Sequence, residues 1–208
     1  MAIRLYFTNL PSDLGGAGQR WLSTRTGGAS VNAVTSTTAS GTLIPVTATA
    51  GGQALTWFTG ITNSAWLIPN VATVNLRGFE SAASVNAGFG LTLQATDGAG
   101  NVVATALNNA SIPTTLTELS SGADAVKSQT NITVGTADVP AGGRIKVTVN
   151  IKNLGTMGAG TATFSYNSPA ATAVAGNSYI IFNDDSVIFD EPFDVRPYEI
   201  FGSNGYRG

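Results

Sequence analysis

The sequence predicts an all-β fold: an antiparallel β-sandwich of jelly-roll type with extended N- and C-terminal arms. Three observations predict it. Several segments alternate apolar and polar residues with a period of two, the mark of strands with one buried face. Gly-rich breaker clusters separate these segments at short intervals. No stretch keeps a 3.6-residue apolar period beyond a turn or two, and no repeat of fixed length is present. The length of 208 residues and the hydrophobic content of 43% suffice for a sizeable core.

Residues 1–41 hold a short apolar piece, Leu5-Tyr6-Phe7, then Thr8-Asn9-Leu10-Pro11, Gly15-Gly16-Ala17-Gly18 and Trp21-Leu22. The rest of this region is Thr, Ser, Gly and Ala, too few apolar residues for a core of its own, so it is expected to be an arm. Residues 42–182 form the expected sandwich domain. In Arg144–Lys152, Ile145, Val147, Val149 and Ile151 alternate with Arg144, Lys146, Thr148, Asn150 and Lys152, which places the first set inside and the second outside. Ala72, Val74 and Leu76 follow the same rule, as do Phe89, Leu91, Leu93 and Ala95, and Ala162, Phe164 and Tyr166. Asp97-Gly98-Ala99-Gly100-Asn101 separates two such segments and reads as a hairpin loop. Residues 183–208 turn acidic and aromatic and form the second expected arm. A fragment of residues 42–182 is expected to fold alone.

Composition narrows the chemistry. The chain has no His and no Cys, and charged residues make up 11%. His and Cys are the usual sources of near-neutral acid–base chemistry, nucleophiles and soft metal ligands. The expectation is a protein that is not an enzyme, with no catalytic residues, cofactor or metal. Net charge is −2, which favours neither nucleic acid nor an anionic membrane as partner. The charge is segregated: Arg4, Arg20 and Arg25 against Asp13 leave the first 30 residues at +2. Asp184, Asp185, Asp190, Glu191, Asp194 and Glu199 against Arg196 and Arg207 leave residues 183–208 at −4. The start, Met1-Ala2-Ile3-Arg4, does not read as a signal peptide, and no run reaches the roughly 18 apolar residues of a membrane span.

Several motifs have simpler readings. Gly15–Gly18 is followed by Gln19-Arg20-Trp21, not by the Lys and hydroxyl that a phosphate loop needs. Asp184, Asp185, Asp190 and Glu191 offer hard oxygens, but in no calcium-loop spacing, and nothing places two of them across a cleft as a glycosidase pair. Trp57, Trp66 and Tyr166 are candidates for a sugar-stacking face, against the commoner reading of aromatic strand residues as core. Asn109 and Asn131 begin Asn-x-Ser/Thr matches that read as chance.

The opening Arg4-Leu5-Tyr6-Phe7-Thr8-Asn9, the Gly/Ser/Thr-rich stretch after it, Ser40-Gly41-Thr42-Leu43-Ile44-Pro45 and Leu154-Gly155-Thr156-Met157-Gly158 resemble virion structural proteins of tailed bacteriophages. The resemblance implies a capsid decoration, or cement, protein located in the virion and assembled in the host cytoplasm. Its expected partners are the major capsid protein or another virion protein and further copies of itself, a trimer among them. Tyr6, Phe7 and Trp21 at one end and Phe193, Tyr198 and Phe201 at the other are the expected partner contacts. A carbohydrate-binding domain of a tail or fibre protein is the alternative.

Overall fold

The computed structural model describes residues 2–24, 31–36, 43–47, 53–115, 117–155, 160–166 and 178–190. Among them there is no helix. The strands are β1 (Ile3–Pro11), β2 (Gln19–Ser23), β3 (Val31–Ser36), β4 (Leu43–Pro45), β5 (Thr56–Phe58), β6 (Trp66–Leu67) and β7 (Val71–Glu80). They continue with β8 (Ala87–Thr96), β9 (Val102–Ile112), β10 (Ala125–Ile132), β11 (Asp138–Val139), β12 (Arg144–Asn153), β13 (Thr161–Tyr166) and β14 (Tyr179–Phe182). Twelve of them form one network ordered β3-β13-β7-β14-β1-β2-β5-β12-β8-β9, with β10 added to β7 and β4 to β12. β6 and β11 form a separate ribbon. The pairings are antiparallel except that β2 runs parallel to β5.

A twisted sheet of this many strands curls or splits into packed layers. Here the two ends of the network fold onto a common core, a β-sandwich. Phe89 of β8 meets Phe164 of β13 edge-on at 5.8 Å, although the two strands lie far apart in the sheet order. Trp57 joins the layers at the centre, with Phe7 at 5.1 Å, Phe164 at 5.6 Å and Tyr166 at 5.3 Å, all edge-on. Its buried indole N–H donates to the Thr8 carbonyl at 2.9 Å.

The period-two reading fixes most of the interior. Ile145, Val147, Val149 and Ile151 are fully buried, as are Phe89, Leu91, Leu93 and Ala95 on the paired strand β8. The hairpin expected at residues 97–101 joins β8 to β9, closed by the Asn101 amide on the Asp97 carboxylate at 2.9 Å. Two outward assignments are corrected. Asn150 is buried, its side-chain amide donating to the Asn109 side-chain oxygen at 2.7 Å. Arg144 is only 4% exposed. Its guanidinium donates to both Asp13 carboxylate oxygens at 2.9 and 2.6 Å and to the Thr59 carbonyl at 3.0 Å, and it stands 5.7 Å from the Trp21 ring. A buried guanidinium is tolerated because these acceptors replace its water.

The N-terminal arm is corrected as well. Residues 3–23 supply two inner strands of the network, β1 between β14 and β2, and β2 between β1 and β5. Leu5, Phe7 and Leu22 lie in the core. The region lacks the apolar residues for a core of its own, yet contributes to the shared one. The same holds at the other end as far as it is described: Val187 and Phe189 are buried against the body, and residues 191–208 lie outside the described residues.

Two outcomes follow. A fragment of residues 42–182 loses β1 and β2 from the middle of the sheet, so circular dichroism and thermal melting will show no cooperative unfolding for it, whereas the full chain will melt sharply. Val147→Asp buries an unpaired carboxylate between Leu93 and Trp57 and is expected to cost about 3 kcal/mol or more, read as a lowered denaturant midpoint. A midpoint equal to the parent's would refute the assigned register.

Candidate functional site

Residues 183–190 leave β14 and run beside the segment 60–63. The Asn63 amide donates to the Ile188 carbonyl at 3.2 Å and the Asp190 amide to the Ile61 carbonyl at 3.1 Å. Gly60 permits this approach: a Cβ there would stand 1.5 Å from the Asp190 carbonyl oxygen. Phe189 and Phe182 close edge-on around Trp66 at 5.9 and 5.6 Å. The Trp66 indole N–H donates to the Asp184 carboxylate at 2.9 Å, which also accepts from the Ser186 amide at 2.9 Å and hydroxyl at 2.7 Å. These donors, Trp66 first, hold the Asp184 carboxyl below its ordinary range.

Beyond Trp66 the surface forms a groove of about 430 Å³ lined by Ala65, Trp66, Leu67, Val103, Asp138, Val139 and Pro140. The β6–β11 ribbon makes its floor, pairing Leu67 with Asp138 and Trp66 with Val139. Leu67 is 53% exposed and Val103, from the start of β9, 54%. Ile188 and Ile61 add exposed apolar surface on the segment that packs on Trp66. The charged groups named here, Asp138 on the lining and Asp184 on the Trp66 indole, are acidic. The arrangement is an open, mostly apolar cleft with one carboxylate, Asp138, on its lining.

The expected contact residues fall differently. Phe7 is buried in the aromatic core and Trp21 beneath Arg144, so neither is available to a neighbour. Tyr6 stays half-buried on the outside of β1, edge-on to Tyr179 at 6.0 Å, with Arg4 over the Tyr179 ring at 4.7 Å. Phe193, Tyr198 and Phe201 lie outside the described residues. Trp57 and Tyr166 are core residues, and Trp66 at 6% exposure leaves only an edge at the groove, so no ring face is free to stack on a sugar. Among the described residues no three acidic side chains gather closely enough to hold a metal ion, and Asp184 is engaged by Trp66 and Ser186.

No protein-family model matches the sequence, and no curated protein does. Several solved structures align with part of the chain. An alpha-amino acid ester hydrolase aligns at TM-score 0.50 and 13% identity over 87% of this chain and 36% of its own. A CocE/NonD family hydrolase from Staphylococcus aureus aligns at TM-score 0.48 and 10% identity over 91% and 36%. The structure of infectious bursal disease virus, Gx strain, aligns at 0.30 and 11% over 75% and 33%. The chain thus spans about a third of the length of these structures, and the likeness to the ester hydrolase, at 13% identity, is one of fold alone. It nevertheless corrects the reading that this is not an enzyme. Sandwiches of this shape occur within hydrolases, and a segment without His or Cys can belong to a protein whose reactive groups stand elsewhere.

The Trp66–Asp184 bond makes the site's acid response measurable. Asp184 has a lowered folded-state value, so its contribution is present above the ordinary 3.8 and is lost as pH falls through the lower folded value. Indole emission is expected to hold steady down to about pH 3.8 and to change only below it. Asp184→Asn should remove that acid step, as read from the fluorescence difference between parent and variant.

Proposed function

We propose that this chain is a structural virion protein, a capsid decoration subunit that seats on the lattice of the major capsid protein through the groove at Trp66. The observation that carries the proposal is a groove that brings exposed Leu67 of β6 and Val103 of β9 together with the acidic Asp138 of β11. Such a cleft favours a lattice segment that presents an apolar side chain flanked by Lys or Arg. The apolar contact supplies affinity through burial at about 25 cal/mol per Å², and the carboxylates supply orientation and a salt-sensitive rate of encounter. Many copies on one lattice add avidity. The resemblance of Arg4–Asn9, Ser40–Pro45 and Leu154–Gly158 to phage virion proteins points the same way. Contacts between copies would use the outer face of β1 at Tyr6 and Arg4.

The fold likeness to an ester hydrolase favours a second reading, in which the same groove holds the sandwich against a catalytic domain. One experiment separates the two. Purified protein is incubated with shells assembled without it, and bound protein is measured by sedimentation. Leu67→Asp with Val103→Asp is expected to cut binding at least about tenfold, as loss of 1.4 kcal/mol or more from an interface core does, while thermal melting stays near the parent's. Raised salt should weaken the parent. Binding by the double variant equal to the parent's would exclude the groove, and no binding of the parent to any shell would favour the second reading.

A further inference from the structure

Glu80 is the last residue of β7 and is completely buried. Its Oε1 accepts from the Ala87 amide at 2.7 Å, while Oε2 has no hydrogen-bond partner. The segment 117–122 is held against the backbone of Glu80 and Ala87 by three bonds. The Glu80 amide donates to the Ser120 carbonyl at 2.9 Å, Gly122 to the Glu80 carbonyl at 2.8 Å, and Leu119 to the Ala87 carbonyl at 2.8 Å. Leu119 is tucked into the core beneath the closed segment. The segment thereby brings a second carboxylate, Glu118, toward the first.

We propose that Glu80 and Glu118 form a proton-operated latch, in which a proton on Glu80 keeps the 117–122 segment closed and its loss lets the segment lift and uncover Leu119. An ionised Glu80 would be a buried charge with one oxygen undonated, facing a like charge. Such a group is strongly disfavoured, and protonation removes both penalties. The charges around it do not cancel this. Lys127 of β10 draws the Glu80 carboxyl the other way, more weakly than Glu118 raises it. Farther along, Arg77 of β7 and Asp124 pair with each other at 2.5 Å. The residues facing Glu80 from β8 and β13, Ala87 and Ala162, carry no charge. Burial pushes the Glu80 carboxyl up from 4.5 to about 7. A raised acid favours the closed form fully below the ordinary value and loses that advantage as pH rises to the folded value. The latch therefore weakens across 4.5 to about 7 and is released above that window.

The test is amide hydrogen exchange on the full chain across that window, corrected for the intrinsic pH dependence. Protection at Glu80, Leu119 and Gly122 is expected to fall by up to about tenfold per pH unit, the slope of a one-proton linkage, while amides in the β8–β12 pairing stay constant. Glu80→Gln, neutral at every pH, should flatten the profile. Glu118→Gln removes the facing charge and should shift the upper end of the fall to lower pH, so the idea stays testable even where Glu80→Gln does not fold. A flat parent profile, an undiminished slope in Glu80→Gln, or an unmoved profile in Glu118→Gln would overturn the latch.

Discussion

The buried Trp57 indole is the contact on which the rest of the structure depends. An indole can be buried only where its N–H finds an acceptor, and here that acceptor is the Thr8 carbonyl of β1. The Thr8 hydroxyl in turn donates to the Trp21 carbonyl of β2 at 2.7 Å. One side chain on the short strand β5 thereby sets the position of both N-terminal strands. Around the same ring, Phe7, Phe164 and Tyr166 gather edge-on, and each such pair adds about 0.5–1.5 kcal/mol beyond its burial. The N-terminal region, poor in apolar residues, is held here by Phe7 and by the hydrogen bonds through Thr8.

Arg144 completes that attachment from the other side. Its fork grips Asp13 in the turn between β1 and β2 and the carbonyls of Thr59 and Gly98. The turn, the β5 exit and the β8–β9 hairpin are thus tied to one guanidinium. Removing Asp13 alone would leave a buried cation short of acceptors, a costlier change than removing a surface pair. The acidic 183–190 segment is tied down by a different means, backbone bonds to residues 61–63 with Phe189 as the plug.

Sequence pattern reached the interior of long strands and failed where tertiary contacts decide. Val147 and Leu91 announce their burial through strict alternation, and the Asp97–Asn101 loop announces its turn through glycine. Phe7 and Trp21 sit in short runs flanked by polar residues, so nothing local says that distant strands will cover them. Arg144 matched the outer face by period, and only a partner more than a hundred residues away draws it inside. The groove was half legible. Trp66 stood out by type, whereas Leu67 and Val103 did not. The adjacent Val102-Val103 pair breaks alternation just after a turn, and that break was the available signal of an apolar side chain facing outward.

Fold and function meet at the β6–β11 ribbon, where the sandwich turns an apolar cleft with a carboxylate edge to the outside. Under the proposed function, a basic, apolar-tipped segment of a lattice subunit covers that cleft. Electron microscopy of capsid shells incubated with this protein, at a resolution that shows side chains, tests that proposal most directly. The prediction is density from a neighbouring protein against Leu67 and Val103, with a Lys or Arg beside Asp138. A cleft facing open solvent, with the lattice contacts made elsewhere on the sandwich, would contradict it.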